Sequence, residues 1–243
     1  LPAFDDNNGE ELWAFIPPCL LGRLSELHTN TPGVFVDGSP KAYIAYGSDG
    51  YPTKAILIFG LRRGGNKYYA LDVTDPIHPS YAWKIDPDTM NQYAEMGQSW
   101  SSPVIGKIAS GTGELQAAFI GGGYDDGQDE ATPPADDRGR AIYIVNVENG
   151  NLVWRYSHAE NSAMTYSIPS DITKLDMDGD GKVDRLYVGG TNARMWRFDI
   201  GDMSSAGSWT GEIIFKGSGK IFYPPDVTFE TNRGAGTYDF LFF

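Results

Sequence analysis

Apolar residues along this chain recur in short runs separated by glycine, proline and polar turns, and the runs belong to a repeating unit. Each unit opens on a Pro- or Ser-flanked strand, continues into a strand ending in glycines, then an aromatic strand, a turn and a tryptophan. The first runs from Pro32-Gly33-Val34-Phe35-Val36 through Ala55–Gly60 and Tyr68–Val73 to Trp83. The second opens at Ser102-Pro103-Val104-Ile105, continues through Ala118–Gly123 and Ile142–Val147, and reaches Trp154 after the Asn149-Gly150 turn. The third opens at Ile168-Pro169-Ser170-Asp171-Ile172, passes Leu186–Gly190 and Met195–Ile200, and ends near Trp209. A fourth starts at Pro225-Asp226-Val227-Thr228, and Leu12–Ile16 reads as the third strand of an earlier unit.

Four short strands per unit, recurring at about 50 to 75 residues, is the arithmetic of propeller blades with insertions. The expectation is an all-β, modified β-propeller of several four-stranded blades, with residues 1–243 as one domain. The abrupt opening at Leu1-Pro2 and the apolar close at Leu241-Phe242-Phe243 read as a fragment of a larger domain, incomplete at both ends. A β-sandwich is the alternative, but sandwiches show no such repeat. Leu20, Leu21, Leu24 and Leu27 form a stripe that predicts a short rim helix over 18–27. Trp13, Trp83, Trp154 and Trp196 are expected to be buried.

Composition narrows the function. Hydrophobic content of 41% with 13% aromatics supplies a core. The net charge of −13, from 19 basic and 32 acidic residues, argues against nucleic acid and anionic lipid. A divalent cation or a basic protein surface suits it better. Cys19 is the single cysteine, which leaves no intrachain disulfide and no thiolate cluster. No stretch approaches the ~20 apolar residues of a membrane span.

The strongest local signal is Asp176-Met177-Asp178-Gly179-Asp180-Gly181-Lys182-Val183-Asp184. Its carboxylates at loop positions 1, 3, 5 and 9, with glycine at 6, follow the ligand order of a calcium loop. Lys182, at position 7, offers only its main-chain carbonyl. Tyr187 stands where an EF-hand places its bidentate Glu, and both flanks read as strands, so the loop joins the first two strands of the third unit. Without a cation, four clustered carboxylates repel one another.

A second acidic stretch, Asp125-Asp126-Gly127-Gln128-Asp129-Glu130 with Asp136-Asp137, lacks that register and reads as a mobile solvated loop. His28, His78 and His158 fall in different units with no ligand-spaced partners, so no catalytic constellation is visible. Gly60–Gly65 is basic and glycine-rich but lacks a Walker Lys-Ser/Thr, and reads as a hairpin loop.

Glu11–Pro17, Val36–Pro40, Gly60–Gly65, Tyr68–Pro76, the calcium loop with Tyr187–Gly190 and Met195–Asp199, and Ile221–Val227 occur in an order that resembles the C-terminal domain of the PilC/PilY proteins. These are type IV pilus tip-associated adhesins and biogenesis factors. The resemblance implies a modified propeller with calcium held by Asp176, Asp178, Asp180, the Lys182 main chain and Asp184. It also implies a role in pilus extension and surface attachment. Partners would be pilus subunits or minor pilins and a host-cell or surface ligand, at an extracellular pilus tip or outer-membrane-associated cell surface. Gly189-Gly190-Thr191-Asn192-Ala193 departs from the family's usual Gly-Asp-Leu type of sequence, and no Arg-Gly-Asp triplet is present. Two other readings compete. A quinoprotein-like dehydrogenase has similar repeats but usually carries a vicinal disulfide, which a lone Cys19 cannot form. A polysaccharide-binding propeller would use exposed aromatics.

Overall fold

The computed structural model describes residues 1–29, 33–111, 113–201, 206–232 and 236–243. The chain opens with a hairpin of β1 (Pro2–Phe4) and β2 (Glu11–Ala14). Three four-stranded antiparallel sheets follow, each made of consecutive strands in simple up-and-down order. Blade 1 holds β3 (Lys41–Tyr46), β4 (Pro52–Gly60), β5 (Tyr68–Asp72) and β6 (Ser80–Ile85). Blade 2 holds β7 (Val104–Ser110), β8 (Gly113–Gly121), β9 (Ala141–Asn146) and β10 (Leu152–Ser157). Blade 3 holds β11 (Thr173–Leu175), β12 (Arg185–Gly189), β13 (Arg194–Asp199) and β14 (Thr210–Lys216). A second hairpin, β15 (Asp226–Asn232) with β16 (Gly236–Phe242), begins the next unit. The architecture is that of a β-propeller.

Side chains of the middle blade divide between its two faces with the period of a strand. Ala118, Ile120, Tyr143 and Val145 pack on Ile56, Ile58, Tyr68 and Trp83 of blade 1. Their neighbours Ala117, Phe119, Ile142 and Ile144 pack on Leu186, Val188, Trp196 and Phe198 of blade 3. Both faces are buried, which is why these strands read as unbroken apolar runs.

In the first and third units the Pro- or Ser-flanked segment is a strap that enters the blade rather than its first strand, whereas Val104-Ile105 and Asp226-Val227-Thr228 do lie in the first strands β7 and β15. Residues 33–37 form no ladder, and β3 begins at Lys41; Pro32 lies outside the described residues. In the third unit the strap 168–172 likewise precedes β11. The three later straps, at Ser99, Ile168 and Ile221, each cross the end of the second strand of the preceding blade, and a glycine stands at each of these crossings. A Cβ on Gly60 would come 2.7 Å from the Ser99 carbonyl, and one on Gly121 would come 2.6 Å from that of Ile168. A Cβ on Gly189 would strike Ile221. Hydrogen bonds tie the crossings: Leu61 N donates to Ser99 Oγ at 2.8 Å, Gly123 N to Ile168 O at 2.9 Å, and Ile221 N to Gly190 O at 3.2 Å.

The tryptophans fasten the rim. Trp83 Nε1 of β6 donates to Val147 O in the β9–β10 turn at 2.8 Å. Trp154 of β10 reaches blade 3, where its ring lies 5.5 Å from that of Trp209. Trp13 Nε1 donates to Pro76 O in the β5–β6 turn at 2.9 Å. Trp13 therefore stands where Trp83 stands in the next unit, and β2 is a fourth strand, not the third strand expected for Leu12–Ile16. Trp83 and Trp196 are buried, whereas Trp13 and Trp154 are half-buried. Trp196 lies on a third strand, stacked on Phe198.

The expected helix is present as a 3₁₀ helix over Pro18–His28. Its three-residue repeat turns Leu20, Arg23 and Glu26 to one side. Leu20 is buried and the Arg23–Glu26 ion pair measures 2.9 Å, while Leu21 and Leu27 face solvent. The leucine stripe drawn for an α-helix is therefore not the buried face.

Gly121→Ala should lower stability by about 1–3 kcal/mol, because the new Cβ meets fixed backbone. Gly22→Ala, with open space around it, should be neutral or slightly stabilising. Thermal unfolding of both variants checks the contrast.

Candidate metal centre

The aspartate-rich loop joins β11 to β12, as its strand-like flanks predict. Gly179 and Gly181 adopt φ of +81° and +86°, which allows two reversals within a few residues. Those turns fold the loop around its own carboxylates. Asp176 accepts from Gly179 N at 2.6 Å and from Gly181 N at 2.8 Å, one on each oxygen. Asp178 Oδ1 accepts from Asp180 N at 3.0 Å, and Asp184 Oδ2 accepts from Met177 N.

Carboxylate oxygens of Asp176, Asp178 and Asp184 all lie within 4.8 Å of one another. Each carboxylate has about four acceptor sites, so these backbone bonds leave lone pairs free. An all-oxygen, anionic donor set suits a hard divalent cation. Asp180 is turned aside: Oδ1 accepts from Lys182 N at 2.8 Å and Oδ2 is ion-paired with Lys182 Nζ. That partner holds the Asp180 carboxyl below the usual carboxylate range. The Asp184 carboxyl is pushed up, first by burial and then by the charges of Asp178, Asp176 and Asp180. Sequence spacing thus names five positions, and the fold brings three of their carboxylates together.

The loop is tied to the blades on either side. Val183 N donates to Lys107 O of β7 at 2.8 Å, so the loop's C-terminal end hydrogen-bonds blade 2. The Asp184 carbonyl accepts from Ile200 N at 2.7 Å and Gly201 N at 2.8 Å, anchoring it beyond β13. Arg185 bonds Asp199 at 2.7 Å and Asp239 of β16 at 2.5 Å, and Tyr187 also bonds Asp239. Burial opposes the Arg185 charge, but the two carboxylates more than offset it and raise its pKa. The Tyr187 phenol is pushed up to about 12 by burial and by Asp239. No local motif announces Arg185 or Asp239, which meet across 54 residues.

The second acidic stretch is not a mobile solvated loop. Asp125 and Asp136 are buried, and Asp126–Asp129 forms a short 3₁₀ turn. Asp136 Oδ2 accepts from Ser167 N and, at 3.2 Å, from Thr191 Oγ1, while Oδ1 accepts from Gln128 Nε2. Asp125 Oδ2 accepts from Asp137 N at 2.9 Å and Arg138 N at 3.1 Å. Asp136 thus satisfies buried donors of the blade 2–blade 3 junction, while Asp125 braces the backbone of its own loop. Gly60–Gly65 lies in the hairpin connection from β4 to β5, as expected.

Asp136→Ala would leave Ser167 N and Thr191 Oγ1 buried without that acceptor, and should cost about 3 kcal/mol. Asp126→Ala, on the exposed side of the same turn, should change stability by less than about 0.5 kcal/mol. Chemical denaturation of the two variants separates a structural hub from a solvated loop.

Comparison with known proteins bears on the whole arrangement. The family model described as the PilY1 beta-propeller domain matches residues 28–216. The type IV pilus biogenesis factor PilY1 of Pseudomonas aeruginosa is 29% identical over 200 residues, which cover 80% of this chain and 16% of the relative. A PilY1 homolog of Xylella fastidiosa is 28% identical over 209 residues, covering 83% of this chain and 15% of the relative. The crystal structure of the Pseudomonas aeruginosa PilY1 C-terminal domain matches with a TM-score of 0.64 at 25% identity, covering 93% of this chain and 47% of that one. This chain thus corresponds to less than a fifth of the length of those curated relatives. With its glycine-gated strap crossings and its loop between β11 and β12, the chain belongs to the PilY1 β-propeller domain family.

Proposed function

We propose that this chain is the calcium-binding propeller module of a type IV pilus biogenesis and adhesion factor, and that it binds and regulates rather than catalyses. The carrying observation is the meeting of Asp176, Asp178 and Asp184 on a loop hydrogen-bonded to blade 2 and linked through Arg185 to β16. In this reading the Lys182 carbonyl and Asp180 complete the ligand set. Asp180 joins when Lys182 Nζ, its present partner, gives way to the ion. Calcium fits better than magnesium, because a turning loop of carboxylates and carbonyls supplies many oxygens at irregular angles.

Filling the site removes the mutual repulsion of the carboxylates and stiffens a loop that two neighbouring units share. That stiffening is how occupancy would bias pilus extension against retraction and set surface attachment. The partners would be pilus subunits or minor pilins and a host-cell or surface ligand, met at the pilus tip or the outer cell surface. No helix among the described residues is long and apolar enough to cross a membrane. Two of the three histidines have structural partners that suit a binding module: His78 Nδ1 lies 3.1 Å from Asp75 in an exposed turn, and His158 Nδ1 lies 3.0 Å from Met164 O.

Titration calorimetry should find one calcium site, with magnesium far weaker. Calcium at about 100 times the dissociation constant should stabilise the fold by about 2.7 kcal/mol. Asp178→Ala should abolish binding and leave the propeller folded, since that side chain is exposed. Lys182→Met keeps the carbonyl and frees Asp180, so calcium should bind as tightly or more tightly. At matched protein levels, Asp178→Ala should alter pilus number or twitching and Lys182→Met should not. Two equivalent sites, equal magnesium affinity, or normal piliation in Asp178→Ala would count against the reading.

A further inference from the structure

The entry straps of successive units converge at one end of the propeller axis. Ser39, Ser102, Asp171 and Tyr223 each stand shortly before the first strand of a unit, at β3, β7, β11 and β15 respectively. Those inner strands are neighbours, β3 beside β7 and β7 beside β11. Where the straps meet there is a cavity of about 400 Å³, lined among others by Arg62, Trp100, Ser102, Asp171, Phe222 and Tyr223. That volume lies within the range of small-molecule sites, about 300–1,000 Å³. None of the calcium-loop residues lines it.

Its polar groups are held in place. Arg62 is a non-glycine residue at φ +53°, a conformation that L-residues seldom adopt. Ser99 Oγ holds that turn by accepting from Leu61 N at 2.8 Å and Arg62 N at 3.0 Å. The Arg62 guanidinium lies 4.7 Å from the centroid of the Trp100 ring, and among the described residues no carboxylate pairs with it. Asp171 Oδ1 accepts from Ser102 N at 2.6 Å. The backbone amide and hydroxyl of Ser102 can fill at most two of the roughly four acceptor sites of that carboxylate. Trp100 and Phe222 pack at 6.0 Å, and beside them the Tyr223 ring is 82% exposed.

We propose that this cavity is a binding site for a neutral saccharide. Arg62 and Asp171 are the charged side chains among its lining residues, one of each sign. They cancel, which suits neither a polyanion nor a polycation. Together they offer a fork of donors and a set of acceptors, which vicinal hydroxyl groups satisfy in both directions. The exposed face of Tyr223 is an apolar platform for the C–H face of a pyranose ring. A proline-rich peptide would also suit the aromatic rings. Proline, however, has no backbone N–H, so such a peptide would bury Asp171 while leaving its remaining acceptor sites unfilled.

The test is binding of the protein to an array carrying neutral gluco-, manno- and galacto-oligosaccharides, sialylated and sulfated glycans, and a polyproline peptide. Wild type, Tyr223→Ala, Asp171→Asn and Asp178→Ala are compared. Neutral oligosaccharides should be retained, and Tyr223→Ala and Asp171→Asn should each weaken retention at least tenfold. Asp178→Ala should bind sugar like wild type, which keeps this outcome separate from that of the calcium reading. Tyr223→Ala removes a solvent-facing ring, so its loss of binding with an unchanged melting temperature is diagnostic even if Asp171→Asn folds poorly. Retention of acidic glycans or polyproline only, no retention of neutral sugars, or full retention by Tyr223→Ala would overturn the proposal.

Discussion

The structure depends on the crossing of one blade's end by the entry strap of the next. At Gly60 and Gly121 backbone passes over backbone at a separation that leaves no space for a Cβ, and at Gly189 the side chain of Ile221 takes that space. Because the straps lie this close, Ser99, Ser101 and Ser167 can bond across the junctions, and the Tyr68 hydroxyl of blade 1 reaches Ser101 O at 2.7 Å. The same crossings bring the aromatic and apolar faces of successive sheets into register. Trp83 and Trp154 then close the outer rim, each reaching from a fourth strand into the following blade. A glycine at the end of a second strand is therefore as much a part of the core as the isoleucines before it.

The aspartate-rich loop inherits its significance from this arrangement. An aspartate-rich turn on an isolated hairpin would stiffen only itself. Here Val183 bonds β7 and Arg185 reaches β16, so the loop touches the preceding and the following unit. The Asp184 main chain sits between these two links and its carboxylate faces the cluster. An ion held at Asp184, as proposed, would thus be connected through the covalent chain to two blade junctions within a few residues.

Much of this was legible in the sequence, for physical reasons that differ from element to element. The second and third strands stand out because both of their faces are buried, as at Ile56–Phe59 and Ile142–Val145. The loop stands out because the metal ligation proposed for it calls for alternate carboxylates and a turn glycine, a constraint that is local in sequence. The entry straps were less legible. Gly33–Val36 has the composition of a strand, but it joins no ladder, and just after it Asp37 N donates to Leu61 O beyond the end of β4. The leucines near the start misled because a 3₁₀ helix presents a different face from an α-helix. Asp125 and Asp136 looked solvated because the donors that bury Asp136, Ser167 N and Thr191 Oγ1, lie 31 and 55 residues away.

Hydrogen–deuterium exchange, with and without calcium, tests the coupling of the loop to its neighbours most directly. The Val183 amide, whose acceptor is the Lys107 carbonyl of β7, and the amides of Ile200 and Gly201, whose acceptor is the Asp184 carbonyl, report on the junctions. The account predicts that calcium slows exchange at Val183, Ile200 and Gly201 and in β7, as well as within 176–184, and that Asp178→Ala removes all of these effects together. Protection confined to 176–182, with Val183, Ile200, Gly201 and β7 exchanging at the same rate in both states, would contradict it.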